Sequence, residues 1–292
     1  MSLMYHRFVF RVLPARPTPL DHGCVARRAI PAAWGDSVGP FVVLDHVGPR
    51  QFVPGDRPGL HPVPHAGIEM LTLVFAGQGH YRDSLGNVDC SRSGEVRWIR
   101  AGRGMVLAQG ADERLRREGG PVHAVQLWVN MPRGRKHEAP AHRRFAADEI
   151  PAIVYDDGVD IRLVAGWLEG LRGPVTTSGD PFVAHAEMKA GASTELRVPF
   201  GQEFGVYALR GRAAIGAVGE PLDAGEIAVS ALDGGRISIR AERDTHVLMF
   251  GGPPLDAPII RRGSLVMNTV EELERAFDDY HSGRMGEVPT VM

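Results

Sequence analysis

Residues 69–77, EMLTLVFAG, and residues 203–211, EFGVYALRG, share one pattern: a glutamate, alternating apolar positions, and a glycine eight residues after the glutamate. The two segments are 134 residues apart. A second pair, SGEVRW at residues 93–98 and AGEIAV at residues 224–229, is 131 residues apart. Two matches at nearly the same offset indicate two copies of one domain, and the apolar alternation is typical of strands.

The composition favours an all-β protein with two domains. The 292 residues exceed one typical domain of about 100–200 residues. Glycines (36) and prolines (22) separate short apolar runs, and 43% hydrophobic residues provide material for buried cores. We expect an N-terminal domain over residues 4–135, a linker over 136–151 and a C-terminal domain over 152–267. The linker segment is polar, contains prolines and lacks apolar periodicity.

Charge and cysteine content exclude several classes of function. A net charge of -2 provides no general attraction to nucleic acid or to an anionic membrane. The basic segment 133–144 is interpreted as part of a solvated linker. Two cysteines cannot form a disulfide framework, and no apolar run is long enough to span a membrane. Because no secretory signal pattern is present, we expect a cytoplasmic protein. No heptad repeat or long apolar edge argues against a monomer, which is the state that we expect.

One helix is predicted near the C-terminus, over residues 268–284. Thr269 and Glu272 have the spacing of a capping box, in which each residue satisfies the other's backbone N–H. Apolar residues repeat at intervals of three and four along one face: Val270, Leu273, Phe277 and Tyr280. We expect this helix to pack against a β-barrel and to carry no chemistry.

The residues that could bind a ligand cluster in the first copy. His65 and Glu69 are four residues apart, so in a single strand they would project to one face about 13 Å apart. The same face would continue through Leu71, Leu73 and Phe75. This arrangement predicts a barrel interior that is polar at its mouth and apolar deeper. A histidine at such a mouth is a candidate metal ligand, but one histidine and one distant glutamate do not make a site.

Four longer segments resemble the pirins, which are two-domain members of the cupin superfamily. They are VPHAGIEMLTLVFAGQGHYRDSLGN at 63–87, SGEVRWIRAGRGMV at 93–106, HAVQLWVNMP at 123–132 and APIIRRGSLVMNTVEELERAFDDYHSGRMGE at 257–287. The resemblance covers most of the chain and agrees with the internal duplication. It implies a bicupin: two jelly-roll β-barrels with a short C-terminal helix.

The resemblance also implies a site and two kinds of function. In pirins the N-terminal barrel alone holds a metal, often iron, through two histidines of an H-P-H segment and a His-x-Glu pair after an AGRG bend. Some pirins are similar to quercetin dioxygenases, in which the metal orients a flavonol. Others are implicated as partners of transcription regulators or metabolic enzymes.

This sequence departs from the family's metal-binding pattern. The H-P-H segment reads Val63-Pro64-His65, and the His-x-Glu pair is replaced by Leu107 and Gln109. Only His65 remains of the four family ligands. Valine and leucine offer no donor atom, and a neutral amide is a much poorer iron ligand than a carboxylate. We therefore predict a degenerate site that holds no metal.

Nearby histidines could rebuild a site only with difficulty. His61 lies four residues from His65, about 13 Å along a regular strand, which is too far to share one ion. His80 and His123 match positions seen in pirins, and we expect them to make structural hydrogen bonds.

The second copy offers no better ligands. By the two offsets, its equivalents of the four ligand positions are Arg197, Pro199, Ser238 and Arg240. We expect His185 and His246 to be isolated residues on the surface or in loops. No metal site is predicted in this copy.

The hypothesis that agrees best with these residues is a binding or regulatory protein. Its ligand would be an unidentified small molecule, a protein partner or both, with His65, Glu69 and Gln109 as polar contacts. The first alternative is a quercetin 2,3-dioxygenase-like enzyme with iron or another divalent transition metal in a rebuilt N-terminal site. The second is metal-independent catalysis, with His65 as a general base that Glu69 orients.

Overall fold

The computed structural model describes residues 6–20, 24–32, 35–55, 61–111, 113–155, 157–232, 234–255 and 257–289. More than half of the described residues lie in strands, and two helices are present among them: α1 Glu113–Glu118 and α2 Val270–His281. Short 3-10 turns lie at Arg133–Arg135 and Ala147–Glu149. No helix in these ranges has the length and apolar character needed to cross a membrane.

The strands are short and numerous, as the many turn residues predict. The first half contains β1 Val9–Pro14, β2 Arg16–Pro19, β3 Val25–Ile30, β4 Phe41–Phe52, β5 Val63–His65, β6 Ile68–Ala76, β7 Gln78–Asp83, β8 Val88–Arg92, β9 Val96–Arg100, β10 Met105–Ala111, β11 Gly120–Asn130 and β12 Ala141–Phe145. The second half contains β13 Ala152–Tyr155, β14 Val159–Ala165, β15 Trp167–Leu168, β16 Leu171–Arg172, β17 Phe182–Met188, β18 Ser193–Arg197, β19 Glu203–Arg210, β20 Arg212–Ile215, β21 Glu220–Asp223, β22 Glu226–Ser230, β23 Arg236–Ala241, β24 Thr245–Gly252, β25 Ile260–Arg262 and β26 Leu265–Met267.

The strands form two compact units that are discontinuous in sequence. The described residues of 17–26, 44–147 and 255–292 form one, which we call the N-unit. Those of 1–16, 27–43 and 148–254 form the other, the C-unit. The domains predicted from the sequence are continuous, and the predicted start at residue 4 lies outside the described residues. The described residues near the N-terminus, 6–16, therefore belong to the C-unit. Those near the C-terminus, 255 and 257–289, belong to the N-unit.

Both units repeat one topology, which confirms the predicted bicupin. The N-unit has a seven-stranded sheet, β12-β9-β6-β11-β4-β3-β2, and a four-stranded sheet, β5-β10-β7-β8. The C-unit has β1-β22-β19-β24-β17-β14-β13 and β18-β23-β20-β21. The repeated segments occupy equivalent places, since β6 corresponds to β19 and β9 to β22. The all-β class and the duplication were therefore readable from local pattern.

The C-terminal helix α2 belongs to the N-unit. The Thr269 hydroxyl accepts from the Glu272 N–H at 3.1 Å, and the Glu272 carboxylate accepts from the Thr269 N–H at 3.2 Å, which confirms the capping box. The helix contributes Ala276 to a cluster that includes Val106 of β10 and Met267 of β26. Three residues of the predicted apolar face, Leu273, Phe277 and Tyr280, pack against this cluster. The fourth, Val270, is exposed because the first turn of α2 projects beyond the cluster.

The segment predicted to be a solvated linker contains ordered structure. β12 pairs with β9 from Ala141 opposite Arg100 to Phe145 opposite Val96. Phe145 is buried, whereas the arginines before it are exposed. A single buried apolar residue produces no detectable alternation, so this edge strand was hidden within a basic segment.

The same segment places Lys136 in a fully buried position in the N-unit. Its ammonium group donates to the carbonyl oxygens of Gly67 and Val266, each at 2.8 Å, and to Asn130 Oδ1 at 2.7 Å. Burial lowers the pKa of Lys136 to about 8, against the attraction of the Glu272 carboxylate. The Lys136 amine therefore links three parts of the chain, at residues 67, 130 and 266, by hydrogen bonds.

We expect this amine to make stability depend on alkaline pH. Because the pKa of Lys136 is about 8 in the folded chain and 10.5 for an unperturbed lysine, the unfolded chain retains a proton that the native state releases between those values. The free energy of unfolding should therefore rise across this window, by up to about 3 kcal/mol. Urea unfolding at pH 7.5 and pH 10 should show this rise in the wild type and not in Lys136→Met. Parallel pH dependence in the two proteins would contradict the assignment.

Candidate functional site

The four positions of the predicted metal site lie on two neighbouring strands of the N-unit. Val63 and His65 are on β5, and Leu107 and Gln109 are on β10, with Leu107 directly opposite Val63. Val106 packs under α2, so Leu107 and Gln109 face the opposite side of β10. The fold therefore brings the four positions together.

The side chains at these positions do not provide a metal-binding donor set. Val63 and Leu107 offer only hydrocarbon. The Gln109 amide oxygen accepts from Gln126 Nε2 at 3.4 Å. His65 is buried, with Nδ1 3.0 Å from the Val63 carbonyl oxygen. One imidazole and one neutral amide are a poor match for iron.

His65 and Glu69 do not share a face, contrary to the prediction from their spacing. They lie on different strands, because β5 ends at His65 and the chain bends at Gly67, whose φ is +73°. Within β6, the side chain of Thr72 bonds to Gln126, and both line the cavity described below. Glu69 is three residues before Thr72 on β6, so its side chain points to the other face of the sheet. Its buried carboxylate accepts from Trp98 Nε1 at 3.3 Å. The expected pair of polar groups at the mouth is therefore not formed.

The three other histidines of the N-unit that the sequence singled out have different surroundings. His61 is exposed and precedes β5. His123 lies 2.8 Å from His46 between their Nε2 atoms, in the structural role that we predicted. His80 lines the cavity, and its Nε2 accepts from Arg82 Nε at 2.9 Å.

The interior of the N-unit contains a cavity of about 140 Å³. Its wall is mostly apolar, with contributions from β4, β6, β10 and β11 and from Leu115 of α1. Its polar side chains are Asp45, Thr72, Gln78, His80, Ser91, Arg97, Gln109 and Gln126. The cavity is therefore an apolar chamber with a few directed polar groups, as in small-molecule sites.

Hydrogen bonds hold one polar wall of this chamber in place. Trp128 Nε1 donates to Gln126 Oε1 at 2.8 Å. The Gln126 amide nitrogen in turn donates to Thr72 and to Gln109, each at 3.4 Å. The orientation of the Gln126 amide is therefore determined from both of its ends.

Two buried polar atoms on the wall have no hydrogen-bond partner among the described residues: Ser91 Oγ and Arg97 Nε. The Arg97 guanidinium forms an ion pair with Asp89 through Nη2 and lies over the Tyr81 ring, with Cζ 4.4 Å from the centroid. Burial lowers the pKa of Arg97, and the Asp89 carboxylate opposes that shift. Buried donors without partners are rare in proteins, so these two atoms indicate a missing acceptor.

Sequence reasoning missed Ser91, Arg97 and Gln126. One signal for Arg97 was present, because the 131-residue offset places Ala228 at its position in the second copy. A charge inside a strand of one copy, where the other has alanine, indicates a site-specific role. Ser91 and Gln126 carry no comparable signal, since only the strand register brings them to this chamber.

The prediction that His185 and His246 are isolated is wrong. Their ring centroids are 5.7 Å apart, and with Glu187 they form a group whose potential ligand atoms lie within 4.8 Å of one another. The residues come from two strands, β17 and β24, that are paired in the C-unit. Their distance in the sequence concealed this cluster.

Comparisons with known proteins agree with the fold and the duplication. Residues 23–129 match the family model described as Pirin, and residues 183–286 match the Pirin C-terminal cupin domain. A Pseudomonas aeruginosa protein named "Putative quercetin 2,3-dioxygenase" is 34% identical over 86% of this chain and 87% of its own. A Caulobacter vibrioides pirin-like protein is 30% identical over 95% of this chain and 99% of its own. The crystal structure of quercetin 2,3-dioxygenase from Acinetobacter baumannii is 28% identical, with a TM-score of 0.91 over 96% of this chain and 99% of that one.

Proposed function

The chain is a member of the pirin family, and from that membership we propose that its N-unit binds a small neutral aromatic molecule without the family's metal. The observation that carries the proposal is the pair of buried polar atoms without partners among the described residues, Ser91 Oγ and Arg97 Nε, on the wall of a mostly apolar cavity. We propose a regulatory or interaction role for this binding. The cytoplasmic location and the monomeric state stay predictions from the sequence.

The residues present do not fit the metal that the family implies. Iron in the expected arrangement would need imidazoles at the positions of Val63 and Leu107 and a carboxylate at that of Gln109. Leu107 is 1% exposed, and its neighbours in the register are hydrocarbon or already hydrogen-bonded. The degenerate site is therefore part of our proposal, and the chemistry that we propose makes no use of a metal in this barrel.

The size of the cavity supports a ligand with a single ring. A volume of about 140 Å³ is close to the roughly 150 Å³ of an engineered protein cavity that holds benzene.

The charge of the wall supports a neutral ligand. Arg97 is already paired with Asp89, and the buried Asp45 carboxylate also lines the chamber, so an anion would gain no net attraction. A phenolic oxygen could accept from Ser91 or Arg97 while its ring contacts the apolar wall. Phenol and toluene have similar shapes and differ in this oxygen, so they form a matched pair of probes.

Calorimetric titration with this pair tests the proposal. We expect saturable 1:1 binding of phenol and at least about tenfold weaker binding of toluene, because a site built around donors rejects a ligand that leaves them unsatisfied. Quercetin-dependent oxygen uptake should be absent after addition of Fe²⁺, Ni²⁺, Cu²⁺ or Mn²⁺. Turnover of quercetin, or equal affinity for the two probes, would overturn the proposal.

A Ser91→Ala variant separates ligand binding from folding. The Ser91 hydroxyl has no hydrogen-bond partner among the described residues, so its removal should leave the melting temperature of the ligand-free protein unchanged or slightly higher. Affinity for phenol should fall about 5- to 10-fold, which corresponds to one hydrogen bond. A Ser93→Ala variant is the control, since that exposed hydroxyl bonds to the Phe75 carbonyl outside the cavity lining. Loss of stability without loss of affinity in Ser91→Ala would indicate a structural hydroxyl.

The second candidate function is a metal-dependent quercetin 2,3-dioxygenase. It is favoured by the names of the Pseudomonas and Acinetobacter proteins and by the close structural match to the latter. His65 would be the one family ligand available to an iron or other divalent ion. The oxygen-uptake measurement above distinguishes this candidate from the first.

A further inference from the structure

The face of the C-unit's seven-stranded sheet that points away from the core around Ala186 and Val247 carries two histidines and a glutamate at one point. We propose that His185, Glu187 and His246 form a binding site for a divalent transition-metal ion of the zinc or nickel type. The site is independent of the N-unit cavity and of the positions that the family uses for its metal.

Strand register brings the three residues together. His185 and Glu187 are two residues apart on β17, so they project to the same face. His246 on β24 is directly opposite Glu187 in the antiparallel ladder. Its Nε2 lies 3.9 Å from Glu187 Oε2, and the two imidazole rings meet edge to face at 65°. Register, rather than flexible loop structure, therefore sets the spacing of the cluster.

The cluster lies on the face away from the core and is accessible to an ion from solvent. Ala186 on β17 and Val247 on β24 are next to these residues in sequence, so they point to the other face of the sheet, where they are fully buried in the C-unit core. The His246 and Glu187 side chains are 30% and 60% exposed, whereas His185 is buried. One anchored imidazole and two accessible ligands leave coordination positions for water.

The donor set selects the class of metal. Two imidazoles and one carboxylate suit zinc, nickel, cobalt or copper, whereas calcium and magnesium prefer all-oxygen sites. Ligands bonded at about 2.0–2.1 Å to a tetrahedral ion are roughly 3.3 Å apart. The observed atoms lie within 4.8 Å of one another, so rotamer adjustments of the exposed Glu187 and partly exposed His246 side chains would bring them to this spacing.

A second carboxylate supports a cation at this place. Asp160 is opposite Glu187 on β14 and borders the same surface depression as Glu187 and His246. Its Oδ1 is buried and has no hydrogen-bond partner among the described residues. A water molecule bound to the ion could donate to this oxygen, as acceptors around metal sites do.

The surrounding charges are mixed and do not by themselves exclude a dication. Asp244 pairs with Lys189 at 3.6 Å at the rim of the depression. Arg210 is opposite His246, and Arg162 is opposite His185. Against these three cations stand Asp160, Glu187 and Asp244. These charges nearly balance, so the affinity for a metal ion would come from coordination by the three ligands and not from the net charge around them.

Calorimetric titration of the full chain with Zn²⁺ and with Ni²⁺, together with the visible absorption of the Co²⁺ complex, tests the proposal. We expect one saturable site in the wild type. His246→Ala should weaken binding by about 100-fold or more and Glu187→Gln by about tenfold, since even residues that only orient ligands change metal affinity 10- to 100-fold. The Co²⁺ spectrum should change in both variants, which a purely structural effect on stability would not produce.

A matched control is His137→Ala, which removes an exposed histidine of the N-unit and should leave the titration unchanged. Far-ultraviolet circular dichroism confirms that each variant is folded. Absence of saturable binding to the wild type would overturn the proposal. Full retention of affinity in folded His246→Ala would also overturn it, because the ion would then occupy other ligands.

Discussion

Replacing Val63 and Leu107 with histidine and Gln109 with glutamate is expected to create a metal site in the N-unit. The V63H/L107H/Q109E variant should bind Fe²⁺ or Ni²⁺ at least about 1,000-fold more tightly than the parent protein. The reason is geometric: Leu107 is directly opposite Val63, and His65 and Gln109 lie on either side of this pair, two residues away along β5 and β10. Alternate residues of paired strands share a face, so the two introduced imidazoles would be adjacent, with His65 on one side of them and the introduced carboxylate on the other.

The measurement is calorimetric titration in a His246→Ala background, which removes one of the three candidate ligands of the C-unit. Val63→His alone serves as the control, because two imidazoles without the other donors should bind only weakly. We expect affinity to rise with each donor added. If the folded triple variant binds no better than the single one, the assignment of these positions to the family's metal site is wrong.

Gly67→Ala is expected to lower the stability of the N-unit strongly. Gly67 has φ of +73°, and a Cβ there would overlap the carbonyl oxygen of Val266 and approach Lys136 Nζ to 3.0 Å. The peptide of Gly67 also donates to Gly102 at 2.7 Å, so the segment has little freedom to move aside. We expect the free energy of unfolding to fall by at least about 4 kcal/mol in urea titrations.

Gly86→Ala is the matched control for this prediction. Gly86 has a similar φ of +88°, but a Cβ there would meet no atom within 4 Å. It should therefore cost only the roughly 1–2 kcal/mol of placing alanine in the left-handed region. Equal losses in the two variants would mean that backbone strain, and not the contact with Val266, explains the effect at Gly67.

The two metal questions in this protein have separate answers. We propose that the N-unit keeps the strand positions of the family's metal site without its donors, whereas the C-unit holds three candidate donors, His185, Glu187 and His246. The metal content of the wild type does not show which of the two sites holds an ion. Substitutions at His246 and at Val63 do show it, because each changes one site and leaves the other intact.

Local pattern was sufficient for most of the architecture. The repeated Glu-to-Gly segments predicted two copies, and the structure places them as equivalent central strands, β6 and β19. The Thr269–Glu272 spacing predicted the start of α2. Both signals depend on residues close in sequence. The strand at Ala141–Phe145 was missed for the same reason, because only one of its residues is buried and its partner strand is remote.

Residue type and short spacing were enough to establish the fold class, the duplication and the helix cap, and they led to the proposal that the N-unit lacks the family's metal. The tertiary structure alone decided which side chains meet. A bend at Gly67 places His65 and Glu69 on different strands. Register across strands brings Ser91, Arg97 and Gln126 to one chamber and His185 to His246. The physical reason is that a shift of one residue in strand pairing exchanges the faces of every side chain, and that pairing is set by contacts distant in sequence.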